Sequence, residues 1–190
     1  MDLGLLPFAN GVPDAVSRAF SQAEQLHTQA DIAHAIDRMA VAITATLQDQ
    51  NPVVLSVLQG GLYLTGQLMA RVVMPLQQGY VHVDRYIQEQ QRGELYWHGS
   101  AYPSLAGRCV LLVDDVLDRG VTLQKLLDWL HEQDVSRAYT AVMAKKTCDG
   151  PARPRVDFVG VECPNRLLFG CGMDFEGYGR NLPSVYALKE

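Results

Sequence analysis

Val110-Leu111-Leu112-Val113-Asp114-Asp115-Val116-Leu117-Asp118-Arg119-Gly120-Val121-Thr122-Leu123 is the stretch whose reading decides the fold. Cys109 to Val113 is an unbroken apolar run, the pattern of a strand buried on both faces. Asp114 to Gly120 reads as a loop and Thr122 to Gln133 as a helix. Gly120 permits a left-handed turn or a close backbone approach. Thr122 sets a hydroxyl at a helix N-terminus, where free N–H groups and the helix dipole favour an anion. A turn of N–H donors with such a hydroxyl wraps a phosphate. Asp114 and Asp115, at the strand end, can accept hydrogen bonds from vicinal sugar hydroxyls, although paired acids there also hold magnesium in other folds. Asp118 stands near the same centre and is available as a base.

Working outward, residues 16–48 read as helical, with Ile32, Ile36, Met39, Ala40, Ile43 and Leu47 close to a three-four spacing. Asp31 is the expected N-cap of the second helix in this stretch. Val53 to Leu58 is a second buried strand, ended by Gln59-Gly60-Gly61 and followed by a helix over 62–73. Tyr80 to Val83 is a short strand. Residues 84–107 are polar and aromatic, which predicts a functional lid or a hairpin with Glu94 to Trp97 as one arm. Further strands are expected at 139–144, 157–160 and 183–188. Strands alternating with helices imply an α/β fold, a parallel twisted sheet covered on both faces. Ligands in such sheets sit at the carboxyl ends of the strands.

The chain of 190 residues suits a single domain. Its 16 basic and 21 acidic residues give a net charge of −5, which argues against nucleic-acid binding, since that needs a basic face. No apolar run reaches the ~18 residues of a membrane span, and Met1 to Asn10 carries no basic segment typical of a signal peptide. Cys109, Cys148, Cys163 and Cys171 contain no CxxC pair, so reduced thiols, a cytoplasmic location and no zinc site are expected.

The segment 113–123 resembles the phosphoribosyl-pyrophosphate (PRPP) motif of the type I phosphoribosyltransferases. The resemblance spans about residues 30 to 190 and is closest to the hypoxanthine-guanine phosphoribosyltransferase family. It implies a core over about 31–160 and a hood over about 161–183 together with N-terminal residues. Leu58-Gln59-Gly60-Gly61 resembles the pyrophosphate loop, which in the family has a cis peptide between its first two residues. Asp84-Arg85-Tyr86 and Gly93 to Trp97 resemble the catalytic loop, with Tyr86 closing over the pyrophosphate. Lys145, in Ala144-Lys145-Lys146-Thr147, matches the purine-recognising lysine. Residues 164–174 and Arg180-Asn181-Leu182-Pro183 match the hood.

By carry-over, Asp114 and Asp115 hold the ribose, and Asp118, Arg119, Gly120, Val121 and Thr122 hold the 5′-phosphate. Gln59, Gly60, Arg85 and Arg180 meet the pyrophosphate, while Lys145, Leu167, Leu168 and Asp174 meet the purine. Magnesium is implied, with Asp174, Asp114 and Asp115 as ligands, and Asp118 and Tyr86 as the catalytic pair. The implied reaction passes a phosphoribosyl group from PRPP to a 6-oxopurine, and a homodimer or homotetramer is implied. Another base such as xanthine, or a PRPP-binding regulator without turnover, are the alternatives. The chain departs from the family pattern in three places: Leu167 replaces an aromatic, Arg119 replaces a small Thr or Ser in the phosphate loop where Val121 adds a β-branched residue, and Gln59 replaces the basic or amide residue often seen in the first loop. Arg119 either adds a guanidinium to the phosphate or points outwards.

Overall fold

The computed structural model describes residues 11–85, 95–147 and 153–189, with Arg85 described by its backbone alone. Strand β5 (Cys109–Leu117) lies at the centre of a six-stranded sheet. It runs parallel to β2 (Val53–Leu58) on one side and to β6 (Arg137–Thr147) on the other. Beyond these lie β3 (Gln77–Arg85) and β7 (Phe158–Pro164), also parallel, and β4 (Leu95–Ala101) closes the far edge antiparallel to β3. The order is β4-β3-β2-β5-β6-β7. The expected parallel sheet is present, with one antiparallel edge.

Alternation along the strands sorts the core into two layers. Val54, Leu111, Val113, Ala141 and Met143 face α2 (Gln29–Leu47) and α3 (Gly61–Met69). Val53, Leu55, Val57, Val110 and Leu112 face Leu123, Leu126 and Leu130 of α4 (Val121–Glu132). Each such fully buried aliphatic side chain contributes roughly 1.5–3 kcal/mol. Both faces of β2 and β5 are covered, which is why those segments read as continuous apolar runs rather than as an alternation.

Several boundaries move. The stretch 16–48 is not all helix: β1 (Glu24–His27) separates α1 (Asp14–Gln22) from α2. Thr28, not Asp31, is the N-cap of α2; Asp31 is the third helical residue and closes a reciprocal capping box with Thr28. The segment Asp114–Leu117 continues strand β5, because β6 pairs with it as far as Leu117 opposite Lys145. The 84–107 region contains a hairpin arm, β4. The last strand, β9 (Val185–Ala187), does not join the main sheet. It forms a three-stranded sheet with β1 and β8 (Leu168–Phe169), in the order β1-β9-β8. Phe169 stacks on Phe20 of α1 at 4.3 Å between ring centroids and on Tyr186 at 5.1 Å, so the N-terminal helix and the C-terminal segment share one small core. Residues Leu3 to Phe8, Tyr86, Gly93, Glu94 and Cys148 lie outside the described residues.

Candidate active site

The carboxyl ends of β2, β3 and β5 open onto a cleft of about 280 Å³ lined by residues 57–60, 83–84 and 114–123 together with Asp174 and Arg180. The topology dictates its place. After β5 leaves the sheet at Leu117, the chain turns through Asp118, Arg119 and Gly120 into α4. Gly120 has φ 77° as the N-cap residue, a left-handed conformation that glycine adopts without a Cβ penalty. A Cβ there would also lie 2.6 Å from Pro154. Val121 and Thr122 follow as the first helical residues, so the orphan N–H groups of α4 face the cleft. A helix start with free N–H groups therefore stands where the sequence reading expects a phosphate to bind.

The acidic residues are held differently from one another. The backbone N–H of Asp115 donates to Asp114 Oδ1 at 2.9 Å. The Asp115 side chain, 17% exposed, turns toward the loop after β2, and a Cβ on Gly60 would fall 1.9 Å from Asp115 Oδ2. No residue but glycine fits at position 60 without moving that carboxylate. The preceding peptide, Leu58-Gln59, is cis. Burial pushes the Asp115 carboxyl above its ordinary range, opposed by the Asp114 hydrogen bond and by the Arg180 guanidinium. Arg180 Nη1 lies 3.9 Å from Asp115 Oδ2 and donates to the Gly172 carbonyl at 2.8 Å. Its Nη2 meets Asp174 Oδ1 at 2.6 Å, and the other Asp174 oxygen accepts from Gly177 N–H at 2.7 Å. Arg180 therefore ties the hood to the end of β5.

Asp118 lines the cleft beside the end of β6. Its carboxylate is 3.9 Å from Lys146 Nζ. Arg153 Nη1 donates both to the Asp118 carbonyl at 3.0 Å and to the Lys146 carbonyl at 2.7 Å, pinning the turn to the β6 end. Neither Lys146 nor Arg153 was picked out from the sequence. Their only signal there is basic character near a strand end, which more often marks a solvated face.

The remaining sequence-derived residues divide. Gln59, Gly60 and Arg119 line the cleft, with Arg119 exposed at its rim. Arg85 ends β3, and nothing of its side chain is described. Lys145 is not among the lining residues; it pairs with Glu162 at 3.5 Å and borders a neighbouring cavity with Leu117 and Arg153 to Val156. Leu167 is 46% exposed, and its carbonyl accepts from Leu188 N–H at 2.9 Å. Leu168 is buried in β8.

Comparison with known proteins gives this geometry a context. A phosphoribosyl transferase domain matches residues 22–176. The hypoxanthine-guanine-xanthine phosphoribosyltransferase of Tritrichomonas foetus is 30% identical over 170 residues, covering 87% of this chain and 91% of that protein. The hypoxanthine-guanine phosphoribosyltransferase of Bacillus subtilis (strain 168) is 26% identical over 165 residues, covering 86% and 92%. A solved hypoxanthine-guanine-xanthine phosphoribosyltransferase superposes with a TM-score of 0.79 at 27% identity, covering 88% of this chain and 97% of its own. The hypoxanthine phosphoribosyltransferase structure from Staphylococcus aureus, at 23% identity, shares the fold with a TM-score of 0.83, covering 94% and 96%. Every residue lining the cleft except Arg180 falls within the matched residues, and the chain belongs to the type I phosphoribosyltransferase family, close to the hypoxanthine-guanine phosphoribosyltransferases.

Proposed function

We propose that the protein transfers the 5-phosphoribosyl group of PRPP to N9 of a 6-oxopurine, hypoxanthine or guanine, releasing pyrophosphate. The observation that carries this reading is the turn 118–122, a left-handed glycine followed by a helix N-terminus, set beside the Asp114–Asp115 pair in one cleft. The turn takes the 5′-phosphate through backbone N–H groups and the Thr122 hydroxyl. Asp114 and Asp115 accept from the ribose hydroxyls. Gln59, Gly60, Arg85 and Arg180 receive the pyrophosphate, and Tyr86 closes over it to exclude water.

The C1′–oxygen bond to pyrophosphate breaks, and its electron pair leaves with that group as the C1′–N9 bond forms. The Asp118 carboxylate takes the purine proton. The Lys146 ammonium lies 3.9 Å from that carboxylate. Positioning and stabilisation of a cationic sugar carry most of the rate. Asp114, Asp115 and Asp174 form an all-oxygen donor set on the cleft wall, which suits magnesium and would leave it several waters. When bound, magnesium neutralises charge on the leaving pyrophosphate.

The purine lies against Leu167 and the backbone at Leu168, with Asp174 at its edge and the Lys145 ammonium donating to the 6-oxo group. Reaching the base requires Lys145 to leave Glu162, an exposed pair with little hold on it. A second reading extends the substrates to xanthine: the Tritrichomonas foetus relative is named for that base, and an aliphatic Leu167 covers a ring without the stacking geometry of an aromatic. A single domain acting in the cytoplasm as a homodimer or homotetramer completes the proposal. Purified protein with PRPP, magnesium and hypoxanthine, guanine, xanthine or adenine is the test. Nucleotide from the oxopurines and none from adenine supports the reading; PRPP binding without product from any base overturns it in favour of a regulatory role.

A further inference from the structure

We infer that His82, Asp84 and His98 form a binding site for a divalent transition-metal ion of the zinc class on the β3–β4 hairpin. Asp84 also lines the edge of the cleft, but the roles proposed above use none of these three side chains, and the inference does not rest on that reading.

His82 and Asp84 stand two residues apart on β3 and so share a face of the sheet. In β4, Gly99 lies opposite His82 and Trp97 lies opposite Val83, with a register shift between them. His98 is the extra residue of that bulge, and bulges re-aim side chains. Here the bulge lays the His98 ring on the His82 ring at 4.4 Å between centroids and brings His98 Nε2 to 2.6 Å from Asp84 Oδ2. One ligand atom from each of the three residues lies within 4.8 Å of the others. Zinc holds nitrogen and oxygen ligands at about 2.0–2.2 Å, so small side-chain rotations close the cluster on one ion.

The platform beneath is firm. Val81 and Val83 point into the core, and Trp97 packs on Trp129 of α4 at 5.1 Å. Tyr96 meets His98 edge-on at 4.7 Å and limits where that imidazole can swing. Two imidazoles with one carboxylate suit zinc, cobalt, nickel or copper, whereas magnesium and calcium prefer oxygen alone. Three protein ligands leave a coordination position for water or a ligand. The His98 and Asp84 side chains are exposed enough to admit the ion. Cysteine spacing pointed away from zinc because these ligands meet only through strand pairing.

Isothermal titration of chelator-stripped protein with Zn²⁺, in excess Mg²⁺ to occupy the carboxylate cleft, tests the site. One Zn²⁺ per chain with micromolar affinity is expected. His98→Ala and His82→Ala should each weaken binding by at least the ~10–100-fold that loss of an outer-shell partner costs. Both variants should melt with the parent when metal-free. In a second measurement, Co²⁺ on the parent should give visible d–d absorption without thiolate charge-transfer bands. No zinc binding, affinity unchanged in both histidine variants, or a cobalt–thiolate signature would each overturn the assignment, leaving an exposed His98–Asp84 ion pair.

Discussion

Gly172→Ala should damage this protein far more than Gly177→Ala, although both glycines have positive φ. Gly177 has φ +83° and open space around the position of a Cβ. Its substitution meets backbone strain alone, about 1–2 kcal/mol for a left-handed residue carrying a side chain. Gly172 has φ +102°, and its Cβ would sit 2.1 Å from the Gly60 carbonyl oxygen, well inside the 3.0 Å below which Cβ atoms are essentially never found. The obstacle is backbone, so no rotamer change relieves it. Overpacking adds about 1–3 kcal/mol to the strain, for a total of about 2–5 kcal/mol.

At ~2–4 °C per kcal/mol for a chain of this size, Gly177→Ala should lower Tm by about 2–8 °C and Gly172→Ala by about 4–20 °C. The loss should reach function as well. The Gly172 carbonyl accepts from Arg180, and Arg180 holds Asp174, so moving residue 172 disturbs the pairing that closes the cleft. PRPP at about 100 times its Kd stabilises a binding-competent protein by ~2.7 kcal/mol; that gain should shrink in Gly172→Ala and persist in Gly177→Ala. Thermal melts by circular dichroism, with and without PRPP and magnesium, measure both effects. Equal melting points and equal PRPP shifts for the two variants would refute the contact between hood and pyrophosphate loop as a structural determinant.

Asp118→Asn should lower kcat by about 10²–10⁴-fold while the PRPP-induced rise in Tm is kept; parallel losses in both would argue against a base role. Because burial raises the Asp115 carboxyl above its unfolded value, its stabilising protonation is complete below the ordinary carboxylate range and is lost as pH rises through the folded value. Asp115→Asn should therefore melt higher than the parent at pH 7, lose that advantage below about pH 4, and respond less to PRPP; an advantage confined to acid would contradict the sign. Cys109, Cys163 and Cys171 are buried, with Cys163 pushed up to about 11 and Cys171 to about 12 by desolvation. In a Cys148→Ser background none of them should react with a thiol reagent at pH 8 until denaturant is added, and rapid labelling of the folded protein would count against their burial.

Local chemistry was legible in the sequence where the chain makes its own contacts. The β5–turn–α4 unit needs only an apolar run, a glycine and a helix start, and the order strand, Gly120 turn, helix is the one expected, with the strand extended to Leu117. The errors fall where distant segments decide. Residues 24–27 lie between two helical patterns and become a strand only because β9 pairs with them, Glu24 opposite Ala187. For the same reason β9 reads like another core strand but joins the hood. Asp114 to Leu117 reads as a loop because acidic residues interrupt the apolar run, yet β6 pairs with Asp114, Val116 and Leu117 and the ladder continues. The cap of α2 is displaced by about one turn: Asp31 does serve the start of the helix, but from the third helical position, with Thr28 as the cap.

The site shows the same division between chemistry and arrangement. Four carboxylates, those of Asp114, Asp115, Asp118 and Asp174, line one cleft, and like charges so close resist being gathered. The sequence supplied all four but not what holds them together. Arg180 meets Asp115 and Asp174, and Lys146 with Arg153 steadies the Asp118 turn. These cations come from the hood, from the end of β6 and from the chain after it, segments that meet only once the sheet has formed. Lys145 and Lys146 show why side-chain direction cannot be read from a motif alone. Neighbours on a strand point to opposite faces, so one lysine of the pair reaches Glu162 and the other reaches Asp118. Matching the family motif assigns a role to Lys145, whereas the pairing of β6 with β5 gives Lys146 its place beside the proposed base. The charge balance around Asp118 is therefore a property of the assembled sheet, and Lys146 belongs with the turn 118–122 as part of that unit.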